Sequence, residues 1–299
     1  MMSVHIRNFG MTADSKEVHL YTLESVSGMR VSVTDLGGML QEVSVPDGKG
    51  GFIDVALGYD GASGYLRFGG SLGAIIGRNA NRIAGASFDL GGTTHRLANN
   101  DGENNIHSGP HVWRKRLWDV TEDPKDDPDG GASITFGLVS RDGDQGFPGA
   151  ADVRATYTLH PDWRLELALE AQVTKTTIVN LTSHAYWNLN GHASGSVLRH
   201  SFSLDADAYT PVGKGLIPTG EITPVEGTPY DLRESTNFEN RLYALPDGLD
   251  TNFVLKNDER LEKVATLVGD ETGISMDLYT DAPGLQVYTG CGQIGRAHI

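Results

Sequence analysis

Alternation of apolar and polar residues runs through much of this chain and limits its fold more than any other feature. The runs KEVHLYTL (16–23), MRVSVTDL (29–36), VRATYTL (153–159) and RLELALEAQV (164–173) each repeat with a period of two. That period suits a strand with one buried face. Turn signals separate the runs: VPDGKGG (45–51), SRDGDQGFPG (140–149) and HPDW (160–163). With 38 glycines and 12 prolines in 299 residues, turns recur too often for long helices. Glycines break SGYLRFGGSLGAIIGR (63–78), and NFENRLYALP (237–246) has room for only a short helix. EDPKDDPDGG (122–131), acidic and rich in Pro and Gly, predicts an exposed loop. The expectation is an all-β, antiparallel sandwich whose long loops sit on a rigid sheet scaffold.

The formal net charge is −15 and no basic run occurs. Such a surface repels phosphate backbones and anionic membranes, so the expected partner is a small molecule, with no nucleic acid and no membrane. The N-terminal MMSVHIRNFGMTADSKEV has no apolar core of a secretory signal, and no apolar run approaches bilayer-spanning length. The single cysteine, Cys291, excludes a disulfide framework within the chain. Together these predict a cytoplasmic location.

Three polar clusters are candidates for chemistry. IIGRNANRIAGASF (75–88) carries Arg78, Asn79, Asn81 and Arg82; it reads either as a glycine turn between solvated arginines or as a binding segment. LANNDGENNIHSG (97–109) sets four asparagines, two acids and His107 in a turn-rich stretch; a structured loop and a functional one are both open. NLTSHAYWNLNG (180–191) sets His184, Tyr186 and Trp187 among amides with little aliphatic mass. His184 is either a satisfied core histidine or a reactive group. Aromatic faces beside amide and imidazole donors suit a flat polyol: the C–H faces want an apolar platform, and the hydroxyls want groups that pair with them.

Other chemistries fit less well. GxxxxGK[ST] is not present, and HExxH and paired cysteines are missing. His184 and His192 have no nearby carboxylate in the sequence, which makes a poor metal site, so no metal is expected.

Seven stretches, GRNANRIAGASFDLGG, NNIHSG, DGDQGFPG, NLTSHAYWNLNG, LIPTGEITPVEGTPYDLR, GLDTNFVL and PGLQVYTG, occur in an order that strongly resembles the galactose mutarotase (aldose 1-epimerase) family. The resemblance runs from LGGMLQEVSVPD (36–47) to Gly290. It implies a single domain over 1–299, built as a large antiparallel β-supersandwich of the galactose mutarotase type. It further implies interconversion of the α and β anomers of free aldohexoses such as galactose and glucose, without a cofactor. Similar proteins use a histidine acid at the ring oxygen and a glutamate base at the C1 hydroxyl. On this chain the acid maps to His184. The groups that hold the sugar hydroxyls map to Asn81, Arg82, His107, Asp250 and Gln286, which are expected to converge on one cleft. Chemistry agrees: opening the ring needs a proton delivered to O5 and one removed from O1, and a histidine can donate near neutral pH.

Family members extend past PGLQVYTG and carry the glutamate there. Here CGQIGRAHI follows, so the expectation is a chain lacking its C-terminal strands and its general base, with doubtful activity as written and an artefactual tail. Glu221 and Glu226 lie in a different motif and are poor substitutes. A non-catalytic carbohydrate-binding sandwich and a sugar-phosphate epimerase of the same fold remain as alternatives; a two-carboxylate glycosidase lacks an acid pair in the motif loops.

Overall fold

The computed structural model describes residues 4–126, 129–241, 244–245 and 248–290. The chain divides into two compact units, Met1–Tyr186 and Trp187–Ile299. Strands dominate both, and each paired ladder among the described residues is antiparallel.

In the first unit a five-stranded sheet takes the strands His5–Met11, Glu17–Glu24, Arg30–Thr34, Met39–Pro46 and Phe52–Asp54 in sequential order. A four-stranded sheet follows, from Asp119–Asp126, Ala132–Ser140, Ala151–Leu159 and Leu165–Val173, also a meander. Tyr21 of the first sheet meets Phe136 of the second edge-on, at 5.6 Å between ring centroids and 70°. The Tyr157 hydroxyl donates to the Gly38 carbonyl at 2.7 Å. Ala132–Ser140 is buried on both faces except at Val139, whereas Leu165–Val173 keeps the alternation expected of a strand with one wet face. The second unit holds two further four-stranded sheets around a core that includes Phe202, Leu204, Phe253 and Val287.

Two local expectations are overturned. Ala62–Phe68 is a helix, although glycines follow it: Tyr65 and Ala62 face the core and Tyr65 stacks edge-on against Tyr59 at 5.0 Å. Packing of one aromatic face outweighs weak local propensity. The segment read as the start of an acidic loop is instead a strand, Asp119–Asp126. It pairs with Ala132–Ser140 through two register shifts, which let an acidic, proline-bearing edge strand join the ladder. NFENRLYALP includes a short 3-10 turn at Glu239–Arg241.

The sheets alone do not hold the loops of the first unit; Arg78 does. It is 1% exposed. Its Nη1 donates to the carbonyls of Pro148 and Gly149 at 2.9 and 2.7 Å, and its Nη2 donates to Ser140 Oγ at 2.8 Å. The guanidinium lies 5.7 Å from the Phe147 ring centroid. Ser140 Oγ in turn donates to Asp144 Oδ2 at 2.7 Å, and Arg116 grips the same carboxylate through both terminal nitrogens. Burial works to raise the Asp144 pKa, but Arg116 and Ser140 outweigh it and hold the carboxyl below its usual value. DGDQGFPG is thus a cradle for a guanidinium, and Arg78, which the sequence left open as a solvated or binding arginine, is structural. Replacing it would leave several buried carbonyls unpaired. Arg78→Met is expected to cost about 3–5 kcal/mol in urea unfolding; a change below about 1 kcal/mol would show the cradle to be dispensable.

Candidate active site

The segments 73–80 and 180–186, far apart in sequence, run side by side. Ile75–Ile76 pairs with Thr182–Ser183, and Asn79 bridges Asn180. This places His184 against Ala74, whose carbonyl accepts its N–H at 2.8 Å, while the His184 carbonyl accepts the Gly73 N–H at 2.9 Å. Gly73 is required there: a Cβ on it would sit 1.9 Å from the Leu40 carbonyl oxygen, and its φ is +68°. The Tyr186 ring stacks on His184 at 5.1 Å and 20°.

His107 arrives from the other side. Asn105–Ile106 pairs with Arg82–Ile83, and the His107 N–H donates to the Asn81 carbonyl at 3.0 Å. The Asn81 N–H donates back to His107 Nδ1 at 3.1 Å. Asn81, His107 and Ser108 all have positive φ, at 60°, 52° and 51°. Such backbone is uncommon outside glycine and persists where the surroundings overdetermine it. The surroundings here are amides. Asn100 accepts the Ile106 N–H at 2.8 Å and donates to the Ile106 carbonyl at 2.9 Å; Asn105 donates to the Ala98 and Gly109 carbonyls. Ser108 Oγ accepts the Asn79 N–H at 2.8 Å.

The rings of His107 and His184 meet edge-on at 5.4 Å. A backbone N–H can only donate, so His107 Nδ1 is an acceptor and Nε2 carries the hydrogen. Burial, then the charges of His184, Arg82 and Arg114, push the His107 pKa down to about 4, with Asp101 opposing. His107 is therefore a neutral donor near pH 7. Arg82 lies beside it: Nε donates to Asp101 Oδ2 at 2.7 Å and Nη1 to Asn81 Oδ1 at 3.4 Å.

Four of the expected site residues, Asn81, Arg82, His107 and His184, thus gather in the first unit. The other two, Asp250 and Gln286, pair in the second. They sit on the adjacent strands Asp250–Val254 and Gly284–Tyr288, where Gln286 Nε2 donates to Asp250 Oδ1 at 2.7 Å, both residues exposed. Glu221 and Glu226 are exposed. The reading of the tail, including Cys291, falls on residues 291–299, outside the described residues.

Part of the amide-rich stretch proves structural. Asn188 and Asn190 are buried in the second unit. Asn190 Nδ2 donates to Asp270 Oδ1 at 2.9 Å and its Oδ1 accepts the Glu271 N–H at 3.1 Å. His200, fully buried, accepts the Leu189 N–H on Nε2 at 2.9 Å. Asp101 and Tyr186, which were not among the residues expected to act on the sugar, also stand here. Asp101 was visible only as one acid in a polar loop; that it meets Arg82 depends on how the loop closes.

The comparisons agree with one another. The aldose 1-epimerase family model matches residues 19–296. The chain is 38% identical over 292 residues to the galactose mutarotase of Sus scrofa, covering 97% of this chain and 83% of that protein. It is 34% identical over 287 residues to the aldose 1-epimerase of Escherichia coli K12, covering 94% and 81%. Its fold matches the crystal structure of galactose 1-epimerase from Lactobacillus acidophilus NCFM with a TM-score of 0.85, at 28% identity over 97% of this chain and 84% of that one. The fold is thus all-β and of the galactose mutarotase type, as expected from the sequence. The chain belongs to the aldose 1-epimerase family, isomerases that interconvert the anomers of aldoses.

The state of His107 has a measurable consequence. The unfolded ring titrates near 6.5 and the folded ring near 4, so the folded protein binds fewer protons in that window. Stability from keeping the ring neutral is complete above about pH 6.5 and is lost as pH falls toward 4, by roughly 2–3 kcal/mol. Denaturation of wild type and His107→Gln at several pH values is expected to show a shallower acid slope in the variant. Nitrogen-15 spectra of the wild-type ring are expected to keep the Nε2–H form down to about pH 5.

Proposed function

We propose that this chain binds free aldohexoses and opens their ring by acid–base chemistry, with His184 as the general acid at the ring oxygen. The observation that carries this reading is the pair of imidazoles at 5.4 Å in which one ring, His107, is locked neutral by a backbone donor. Two imidazolium rings so close would repel each other. Fixing one as a neutral donor assigns proton delivery to the other. The N–H and carbonyl of His184 are both held by the Gly73–Ala74 backbone and Tyr186 stacks on its ring, which fixes the direction of that ring.

Asn81, Arg82 and the Nε2–H of His107 are the proposed partners of sugar hydroxyls from the first unit. Asp250 and Gln286 are the proposed hydroxyl partners from the second, a carboxylate and an amide already hydrogen-bonded, so that one hydroxyl can donate to the first and accept from the other. The family match runs through both units, which supports reading them as one aldose 1-epimerase domain. No helix among the described residues is long and apolar enough to cross a membrane. With the acidic balance of charge, this supports a cytoplasmic enzyme of small sugars that binds no nucleic acid.

Polarimetry of freshly dissolved α-galactose tests the assignment. His184→Ala is expected to slow anomer interconversion by roughly 10²–10⁴-fold with the fold intact by circular dichroism. A near-normal rate would remove His184 from the mechanism. His107→Ala is expected to act mainly through weaker sugar binding.

A further inference from the structure

Arg82 is not a bare cation. Its Nε–H is taken by Asp101 Oδ2 at 2.7 Å, with the arginine side chain 14% and the aspartate 37% exposed. Its Nη1 reaches Asn81 Oδ1 at 3.4 Å. Asp101 is itself fixed by its loop, through a backbone bridge to Asn104. The guanidinium plane is therefore set from two sides before any ligand arrives, and the Nη2 edge has no hydrogen bond among the described residues. A guanidinium held this way offers directed N–H donors to a hydroxyl. Its charge is cancelled by a carboxylate in contact with it.

We propose that Asp101 is a positioning and specificity residue, which fixes the plane of Arg82 and cancels its charge so that the site favours neutral aldoses over sugar phosphates. The proposal rests on Arg82 being a substrate contact, as read above. A sugar hydroxyl is a weak acceptor that needs a well-aimed donor more than a net charge. A phosphate dianion gains most from an unpaired arginine and loses where a carboxylate already occupies the guanidinium. The Asp101 carboxylate would also lie beside any anion that approached Arg82, and like charges at close range are strongly disfavoured. Arg114, a half-buried arginine whose charge reaches His107, adds a constant positive background that is the same whatever stands at position 101.

The test is competition binding followed by NMR titration, which needs no turnover. Galactose, galactose 6-phosphate and inorganic phosphate are titrated into wild type, Asp101→Asn, Asp101→Glu, Arg82→Gln and the Arg82→Gln/Asp101→Asn double variant. Asp101→Asn is expected to weaken galactose several-fold and to raise the affinity for inorganic phosphate, and the preference for galactose 6-phosphate over galactose, by about tenfold or more. Asp101→Glu, which keeps the charge, is expected to leave phosphate as in wild type. The double variant is expected to reverse the gain in phosphate binding. Asp101→Ser, which removes the same charge and keeps an acceptor, replaces Asp101→Asn if that variant does not fold. If Arg82→Gln leaves galactose binding unchanged, both the site assignment and this proposal are overturned. If Arg82→Gln weakens galactose but removing the Asp101 charge leaves the phosphate-to-galactose ratio within about twofold of wild type, the role of Asp101 alone is overturned.

Discussion

A single buried guanidinium organises the first unit. Arg78 is too polar to be buried without partners, and the chain supplies them to both terminal nitrogens by bending DGDQGFPG around it, so that carbonyls and Ser140 point inward. The consequence reaches the site because Arg78 is also part of the backbone that pairs with Asn180: its carbonyl accepts the Asn180 N–H at 2.9 Å. Gly77, just before it, lets the Trp113 ring lie on the main chain, where a Cβ would stand 2.1 Å from a ring carbon. The side chain of Arg78 is thus tied to the second sheet's loops while its backbone carries the segment leading to His184. Loosening the cradle would loosen the segment that carries His184.

The site itself is built on strained and closely packed main chain. Positive φ at Asn81, His107 and Ser108 would relax if the loop were free. It is held by side-chain amides that take the place of a longer ladder: Asn100 forms a two-way bond with the backbone of Ile106, and Asn105 ties Ala98 to Gly109. The result is that a backbone N–H, a group that cannot change its protonation, decides which nitrogen of His107 bears hydrogen. The different surroundings of the two histidines follow from this geometry and not from anything in the residues themselves.

The asparagines show how one residue type serves two purposes. Those of 97–109 and 188–190 were equally open to being ligand partners, since an amide both donates and accepts. Asn100, Asn105, Asn188 and Asn190 are used up by backbone groups and by Asp270, while Asn81 lies at the His107 pair. Likewise, of the arginines in the first motif, Arg78 is enclosed by carbonyls and Arg82 faces a carboxylate.

The strands at 17–24, 151–159 and 165–173 could be read from alternation alone, because a sheet with one wet face repeats its burial every second residue. The order of the seven motifs was enough to indicate the family. The helix at 62–68 and the strand at 119–126 were hidden, since each is held by packing or pairing outside its own segment: Phe9 on the first strand for the one, Ala132–Ser140 for the other. His184 and His107 could be singled out as candidates from their neighbours in sequence. Only the tertiary structure decided that their rings meet, that His107 is neutral, and that Asp101 faces Arg82. Hydrogen bonds and charge depend on distances of a few ångströms between residues tens of positions apart. Local patterning carries no record of those distances.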